Sequence, residues 1–301
     1  MPCRNSRSAT RNSCDAVDEC QLKLRIVAIL ALLFAPWFLS ARAEVSDLDT
    51  GYRTGSVARA DGGTTAYYER AGNGPVLVLI PGSWDDHSAF DPVVRALNST
   101  YRVIIVELPG HGKSLPPADH PTMAYFADCV FRVSDALEIG SFIVGGHSIG
   151  GMIAIEMAEQ RPSVIRGIVP IEGWSHYTVS KDAFNGQNAN TLTSEMNQIR
   201  ESNRKRTQAK MTQAQIDAFS TVWKQWDGEP TLRLTQVPVL QIWGDRGRPI
   251  PSRKAMRIPE RENITLHWVS GASHWLLLEK PDQVARAIDG FVSALPEKPR
   301  K

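Results

Sequence analysis

The chain has 301 residues, 42% of them hydrophobic, which is enough for one large domain or two small ones. Its formal charge of +2 comes from the first 43 residues, because residues 44–301 hold 28 basic and 29 acidic side chains. This balance argues against nucleic acid or an anionic membrane as a partner.

The first predicted element is an export signal. An apolar run at residues 26–39 follows Lys23 and Arg25 and precedes an Ala-x-Ala sequence. This order predicts a secretory signal peptide over residues 1–43, and the run is shorter than the roughly 20 residues of a membrane span. We expect a periplasmic or extracellular protein with no stable membrane span after cleavage; a membrane anchor formed by an uncleaved leader is the alternative. Of four cysteines only Cys129 lies beyond the leader, so no internal disulfide is expected in the mature chain.

Strands and helices alternate along the rest of the chain. Apolar runs bounded by turn residues predict eight strands, of which the first two form an antiparallel pair. These strands are Val57–Arg59, Thr65–Glu69, Pro75–Ile80, Tyr101–Val106, Ser141–Val144, Ile165–Ile171, Val237–Trp243 and Leu266–Val269. Helical patterns fall at residues 88–98, 122–138, 148–160 and 281–294. This alternation predicts an α/β fold with a mostly parallel, doubly wound sheet.

Residues 173–230 interrupt this alternation because they contain no convincing strand. Thr212 and Gln215 have the spacing of a capping box, which predicts the start of a helix. That helix is expected to continue until Asp227 and to carry an aromatic stripe on one face. The stripe consists of Phe219, Trp223 and Trp226. We therefore predict a small helical cap at 173–230, inserted after the sixth strand into a core formed by residues 44–172 and 231–301.

The most informative motif is Gly-x-Ser-x-Gly at residues 146–150, between a predicted strand and a predicted helix. In this setting the serine stands on a tight, strained turn, and Gly146 and Gly150 are needed because larger residues would clash. Ser148 is therefore the predicted nucleophile. The backbone N–H of Ile149, at the start of the helix, is a predicted donor to the oxyanion that forms when such a nucleophile attacks a carbonyl.

A nucleophilic serine also needs a base, an acid that orients the base, and a second oxyanion donor. The predicted base is His274, in a loop between the last strand and the last helix. Glu172 and Asp245 each follow a predicted strand, so either carboxylate could be the acid on this reasoning alone. The second donor is predicted in the loop after the first parallel strand, as the backbone N–H of Ser83 with that of Trp84 as the alternative.

Four motifs in this order resemble the α/β-hydrolase fold family, in its cap-bearing serine esterase/lactonase-like branch. They are Ile-Pro-Gly-Ser-Trp at 80–84, Leu-Pro-Gly-His-Gly-Lys-Ser at 108–114, Gly-His-Ser-Ile-Gly-Gly at 146–151 and Gly-Ala-Ser-His-Trp at 271–275. The family commonly has its acid in a Gly-x-x-Asp sequence after the seventh strand, but that position here is Gly247. Similarity to members that take their acid from the end of the sixth strand favours Glu172 over Asp245.

The resemblance implies a serine hydrolase that forms an acyl-enzyme with a small-molecule carboxylic ester or lactone and uses no cofactor or metal, and the leader implies that this hydrolase is exported. A carbon–carbon hydrolase or a cofactor-free perhydrolase with the same triad is one alternative, and a non-catalytic binding protein on this scaffold is another. Aromatic side chains near the motifs predict an apolar substrate pocket. Its predicted residues are Trp84, Trp174, Tyr177 and Trp223. The sequence leaves the oligomeric state open.

Two polar segments are predicted to lie at the surface. Asp85, Asp86 and His87 are adjacent in the chain and cannot easily converge on one metal ion, so they are expected to form a solvated loop. The basic residues between Arg200 and Lys210 are expected to form an exposed face of a cap helix.

Overall fold

The computed structural model describes residues 42–47, 51–185 and 191–296. The predicted signal peptide lies outside these ranges apart from Arg42 and Ala43, which begin the first strand, so its cleavage stays a prediction. None of the helices in the described ranges combines the length and the apolar character that crossing a bilayer requires.

Nine strands of the described residues form a single sheet. They are β1 Arg42–Asp47, β2 Tyr52–Ala58, β3 Thr64–Arg70, β4 Val76–Ile80, β5 Arg102–Val106, β6 Phe142–His147, β7 Ile165–Ile171, β8 Val239–Gly244 and β9 Ile264–Val269. Their order in the sheet is β1-β2-β3-β5-β4-β6-β7-β8-β9. The pairs from β1 to β5 along this order are antiparallel and those from β5 to β9 are parallel. The predicted α/β fold with a mostly parallel sheet is confirmed, and because β1 is additional to the eight predicted strands, the sixth predicted strand is β7.

The helices cover both faces of the sheet. They are α1 Asp91–Ala96, α2 Met123–Ala136, α3 Ile149–Gln160, α4 Val179–Asp182, α5 Ser194–Gln208, α6 Gln213–Thr221, α7 Glu229–Leu234, α8 Leu276–Glu279 and α9 Pro281–Ala294. The predictions for α2, α3 and α9 hold to within two residues at each end. The helix predicted at 88–98 is instead a 3₁₀ turn, His87–Phe90, followed by α1. Pro92 stands at the start of α1, where its fixed φ favours a new helix.

The hydrophobic core has two layers, one on each face of the sheet. In β4, Leu77 and Leu79 belong to one layer while Val78 and Ile80 belong to the other, because successive side chains of a strand point to opposite faces. The layer around Val78 includes α2 and α3, and the layer around Leu77 includes α1 and α9. This burial on both faces explains why the central strands are continuous apolar runs.

The sheet order places the chemically interesting loops at one edge. β4 lies between β5 and β6, so the chain direction across the sheet reverses there, and ligands of open α/β sheets bind outside the carboxyl ends of the strands at such a point. Ile80 is paired in register with Gly146, which puts the loops after β4 and β6 side by side. His147 is paired with Ile171, so the residue after β7, Glu172, is next in this row.

The segment between β7 and β8 contains α4 to α7, where the sequence predicts a helical cap. The capping box at the start of α6 is present, since the Thr212 and Gln215 side chains each bond the other residue's backbone N–H. The prediction of one helix until Asp227 was wrong. α6 ends at Thr221, whose hydroxyl bonds the backbone carbonyls of Asp217 and Ala218, and a 3₁₀ turn over Val222–Lys224 follows.

Candidate active site

The turn between β6 and α3 has the geometry of a nucleophile elbow. Ser148 has a φ of 53°, in the left-handed region that non-glycine residues rarely adopt. A Cβ atom on Gly146 would lie 2.3 Å from the backbone carbonyl carbon of Gly150, and one on Gly150 would lie 2.1 Å from the carbonyl oxygen of Ile80. Glycine is therefore required at both positions for the turn to close.

Two backbone N–H groups lie next to this elbow without an evident partner. Ile149 is the first residue of α3, where N–H groups have no acceptor inside the helix. The Ser83 N–H makes no hydrogen bond with any described residue, whereas the Trp84 N–H donates to His111 Nε2 at 3.1 Å. The alternative donor, Trp84, is thus already engaged. The Ser148 hydroxyl is half-buried and likewise has no hydrogen-bond partner among the described residues.

His274 lies in the loop between β9 and α8, beside the elbow. Its Nδ1 is 3.1 Å from Glu172 Oε2, and both side chains are buried. The ring of His147 is 4.9 Å from the His274 ring, and its Nε2 donates to the His274 carbonyl oxygen at 2.7 Å. The residue before Ser148 therefore holds the backbone of His274, which brings the elbow and the histidine loop to the same edge of the sheet.

The Glu172 carboxylate is fully buried and accepts three hydrogen bonds from two residues, Gly244 and Arg246, besides its contact with His274. Oε1 accepts from the Gly244 N–H at 2.7 Å and from Arg246 Nη1 at 3.1 Å, and Oε2 accepts from Arg246 Nη2 at 2.5 Å. Burial by itself would raise the pKa of Glu172, but the hydrogen bond with His274 and the charge of Arg246 outweigh burial and hold this pKa below its usual range. The carboxylate is therefore ionised at neutral pH and can accept a hydrogen bond from the Nδ1–H group of His274.

Asp245, the other candidate acid, has a different environment. It is partly exposed, and its Oδ1 accepts the backbone N–H groups of Gly247 and Gly271 at 2.8 Å and 2.7 Å. Burial slightly opposes ionisation, but these backbone hydrogen bonds keep the pKa of Asp245 below its usual value. Asp245 makes no hydrogen bond to His274, so the structure brings Glu172 and not Asp245 into contact with the histidine.

Aromatic side chains flank this edge in two groups. The ring of Trp84 is 6.0 Å from that of His111 and 4.8 Å from that of Phe219. The ring of Trp174 is 5.5 Å from that of Trp223 and 6.0 Å from that of His274. Three of the four predicted pocket residues thus belong to aromatic clusters, one of which contacts the histidine directly.

Tyr177 and Trp226 lie apart from these clusters. Tyr177 is 44% exposed and its ring contacts that of His176, so it lies outside both ring clusters and its place in the pocket stays a prediction. Trp226 donates its indole N–H to Glu156 on α3 at 2.7 Å. Trp226 follows the 3₁₀ turn over Val222–Lys224, which the sequence pattern did not reveal, so it does not continue the face of α6 as the predicted stripe required.

The loop after β4 is bound to α5, which the sequence analysis missed. Asp85, Asp86 and His87, which the sequence predicts to be solvated, are partly buried. Burial raises the pKa of Asp85 to about 7. Three α5 side chains hold this loop: Asn203 bonds Asp85 at 3.4 Å, Arg206 bonds Asp86 at 2.8 Å, and Thr207 bonds the Trp84 carbonyl oxygen at 3.1 Å. The basic run is therefore not only an exposed face. The spacing of Asn203 and Thr207, four residues apart, was the available signal for a polar contact along one side of α5.

Within the described ranges, no group of three or more histidine, cysteine or acidic side chains is arranged to hold a metal ion. Asp85 and His87 illustrate why. Asp85 bonds Asn203, while His87 Nδ1 bonds Glu107 at 2.8 Å. The two side chains are only two positions apart in the chain but have separate partners.

Comparison with known proteins agrees with the mostly parallel α/β sheet. The family model for the alpha/beta hydrolase family matches residues 77–287. The chain belongs to the α/β hydrolase family. It is 26% identical over 260 residues to a pimeloyl–acyl-carrier-protein methyl ester esterase of Shewanella sp. (strain MR-7), covering 75% of this chain and 94% of the relative.

Two solved structures share the fold at low sequence identity. A bacterial membrane phospholipase A has a TM-score of 0.65 and 22% identity, with 92% of this chain and 94% of the other covered. The enol-lactonase of Burkholderia xenovorans LB400 has a TM-score of 0.60 and 20% identity, with 77% and 98% covered. This α/β hydrolase thus has esterase-like and lactonase-like relatives.

Proposed function

We propose that this α/β hydrolase is an exported serine hydrolase that cleaves a carboxylic ester or a lactone through an acyl-enzyme. The observation that carries the proposal is the buried His274–Glu172 pair, 3.1 Å apart, beside the strained turn that presents Ser148. A carboxylate that holds one nitrogen of an imidazole leaves the other nitrogen to act as a base, which is the logic of the serine triad. The unpartnered Ser83 N–H beside the elbow adds the second requirement of acyl transfer, an oxyanion donor.

In the proposed mechanism, Ser148 Oγ attacks the substrate carbonyl while His274 Nε2 takes the hydroxyl proton. The N–H groups of Ser83 and Ile149 stabilise the negative oxygen of the tetrahedral intermediate. Collapse of this intermediate breaks the ester bond, and His274 gives the proton to the leaving alcohol. Water then attacks the acyl-enzyme with His274 again as the base, which releases the acid and regenerates Ser148. Throughout the cycle Glu172 keeps the Nδ1 proton in place and stabilises the imidazolium form.

The proposed substrate has an apolar or aromatic acyl or alcohol group of medium size. The support is the ring cluster of Trp174 and Trp223 next to His274 and that of Trp84 next to the Ser83 loop. Aromatic side chains around a few polar groups are the common lining of small-molecule sites. The names of the relatives, a methyl ester esterase and an enol-lactonase, agree with an ester or a lactone.

The chemical test is labelling with a fluorophosphonate probe together with a panel of chain-length-graded esters and lactones of several ring sizes. We expect the wild-type protein to be labelled and to hydrolyse members of this panel, and Ser148→Ala to lose both properties. The matched control is Ser163→Ala, an exposed serine that should retain both. A folded wild-type protein that neither reacts nor hydrolyses would support a binding protein instead, and faster cleavage of vinylogous diketones than of esters would support a carbon–carbon hydrolase.

Export has its own test, because it rests on the leader sequence. Expression of the full chain in a Gram-negative host, followed by fractionation and N-terminal sequencing, should recover a soluble periplasmic form that begins at Glu44. Substituting Ala41 and Ala43 by bulky residues should prevent this cleavage. Recovery of the uncut wild-type chain in the membrane fraction would contradict the proposed cleavage and support an anchor.

A further inference from the structure

We propose that Arg246 is a positioning residue, which holds the Glu172 carboxylate against His274 and limits how strongly that carboxylate attracts the imidazolium proton. This inference rests on the proposed function, because it assigns Glu172 and His274 to the proposed triad. Arg246 stands directly before Gly247, the position where the family commonly has its acid. Arg246 is thus next to the position where the family commonly has its acid, and it contacts Glu172, the acid proposed for this chain.

The contact between Arg246 and Glu172 is bidentate and shielded from water. Nη1 of Arg246 bonds Oε1 of Glu172 at 3.1 Å, and Nη2 bonds Oε2 at 2.5 Å. The side chains are 1% and 0% exposed, so water does not screen the pair. A planar guanidinium that binds both oxygens fixes the plane of the carboxylate as well as its position, which an ammonium group cannot do.

Arg246 is itself held by three parts of the site. Its backbone N–H donates to the carbonyl oxygen of Ala272, two residues before His274, at 2.9 Å. Its Nη1 also donates to the carbonyl oxygen of Gly244 at the end of β8. The ring of Phe184 lies 3.8 Å from the guanidinium carbon and covers it. Arg246 therefore joins the end of β7, through Glu172, to the end of β8 and to the loop that carries His274.

The second part of the proposal concerns charge. Oε2 of Glu172 receives both Arg246 Nη2 and His274 Nδ1, so a full positive charge already neutralises the carboxylate that orients the histidine. A carboxylate without such a partner would stabilise the imidazolium more strongly. The charge of Arg246 helps to hold the pKa of Glu172 below its usual range, so without Arg246 the carboxylate would be protonated at a higher pH.

Few other titratable groups face this pair among the described residues. His147 packs against His274, but burial holds the pKa of His147 at about 3, so it carries no charge at neutral pH. Asp245 is adjacent to Arg246 in the chain, but its carboxylate is turned to the N–H groups of Gly247 and Gly271. Arg246 is therefore the neighbouring cation whose charge lowers the pKa of Glu172.

The kinetic test compares Arg246→Gln, Arg246→Lys and the control Arg248→Gln, an exposed arginine two residues later. In Arg246→Gln we expect the acid limb of the pH profile of kcat/KM to move up by about one unit, because an adjacent charge is lost, and kcat to fall about tenfold or more. Arg246→Lys keeps the charge but not the bidentate contact, so its kcat should fall while its acid limb stays near that of the wild type. The control should match the wild type in both quantities.

A measurement independent of activity separates this inference from the proposed function. The carbon-13 NMR signal of the Glu172 carboxyl group, assigned by its loss in Glu172→Gln, should titrate at a higher pH in Arg246→Gln than in the wild type, because the charge of Arg246 lowers the pKa of Glu172. This readout remains informative even if the wild-type protein neither hydrolyses esters nor reacts with a fluorophosphonate, a result that would reject only the proposed function. Unchanged kcat, acid limb and NMR titration in a folded Arg246→Gln protein would overturn the role of Arg246. If that variant does not fold, a kcat of Arg246→Lys equal to that of the wild type would overturn it instead.

Discussion

Glu172 and Asp245 follow neighbouring strands and carry the same charge, yet their surroundings separate them. Glu172 is buried against His274, whereas Asp245 closes a turn through backbone N–H groups. We expect Glu172→Gln to lower kcat by about 10⁴-fold, since an amide no longer holds the imidazole in the required tautomer or stabilises its charged form. Asp245→Asn keeps an acceptor oxygen for the turn and should change kcat by no more than a few-fold. Steady-state kinetics on a shared ester substrate, with folding checked by circular dichroism, would contradict the assignment if only Asp245→Asn lost activity.

Asp85 is a second residue whose environment leads to a measurable prediction. Burial, aided by the negative charge of Asp86, raises the pKa of Asp85 from 3.8 to about 7, despite the hydrogen bond from Asn203. The folded state therefore binds the Asp85 proton more tightly than the unfolded state, so this contribution to stability is full below pH 3.8 and is lost as pH rises through 7. We expect Asp85→Asn to increase the free energy of unfolding at pH 8 by about 2 kcal/mol, with little increase at pH 4.

The adjacent residue provides the control for this experiment. The Asp86 carboxylate accepts hydrogen bonds from Arg206 Nη2 and from the backbone N–H of Ser88. Burial opposes the ionisation of Asp86, but these bonds keep its pKa below its usual value. Asp86→Asn should therefore lower stability at pH 8, opposite in sign to Asp85→Asn. Urea unfolding at both pH values measures the two effects. Equal changes in the free energy of unfolding of the two variants would contradict the raised pKa of Asp85.

At the scale of elements, two glycines in helices should respond oppositely to the same substitution. Gly290 is exposed in α9, and a Cβ atom there would meet nothing within 4 Å. Gly290→Ala should stabilise the protein by about 0.5–1 kcal/mol, because alanine loses less backbone entropy in a helix. A Cβ atom on Gly150 in α3 would lie 2.1 Å from the Ile80 carbonyl oxygen. Gly150→Ala should destabilise the protein by about 1–3 kcal/mol and lower activity, since β4 and the elbow must move apart.

Thermal and urea unfolding of both glycine variants, with kinetics, tests this pair of expectations. Gly290→Ala should keep the wild-type kcat, because α9 packs on the sheet face away from the elbow helix α3. A wild-type kcat and stability in Gly150→Ala would contradict the close approach of the elbow to the end of β4. The comparison therefore separates a helix-propensity effect from a packing requirement.

At the scale of the whole molecule, buried neutral histidines should set the response to acid. Burial lowers the pKa of His111 to about 4 and, together with the charge of His274, lowers that of His147 to about 3. The unfolded chain takes up these protons below about pH 6.5 but the folded chain does not, so stability present above 6.5 is lost as pH falls towards these lowered values. Asp85 has the opposite dependence between pH 5 and 7, because its raised pKa makes acidification stabilising there.

The contributions of the buried histidines and of Asp85 to stability oppose each other between pH 7 and 5. They can therefore be separated only by comparing the wild type with Asp85→Asn. The free energy of unfolding of the wild type should fall by only about 1.5 kcal/mol between pH 7 and 5, whereas that of Asp85→Asn should fall by about 3 kcal/mol over the same range. Urea denaturation at pH 5, 6 and 7 measures both slopes. Parallel slopes for the two proteins would contradict the proposed compensation between Asp85 and the histidines.

Much of this architecture can be read from the sequence because it depends on local patterns. Apolar runs marked most strands, helical periodicity marked α2, α3 and α9, and the spacing of Thr212 and Gln215 predicted the capping box of α6. The two glycines that flank Ser148 likewise report a local steric requirement. Steric limits and side-chain periodicity act between residues that are close in the chain. The order of these strands and helices and the elbow at Ser148 can therefore be predicted from the sequence alone.

What only the tertiary structure decided are contacts between residues distant in the chain. The sequence left Glu172 and Asp245 both at strand ends; the resemblance to relatives favoured Glu172, and the folded chain shows that Glu172 reaches His274. The bidentate contact of Arg246 and the burial of Asp85 under α5 had no local signature either. Such contacts depend on the lateral order of the strands and on the paths of the loops beyond them, and these are set by packing of the whole core, which no short stretch of sequence specifies.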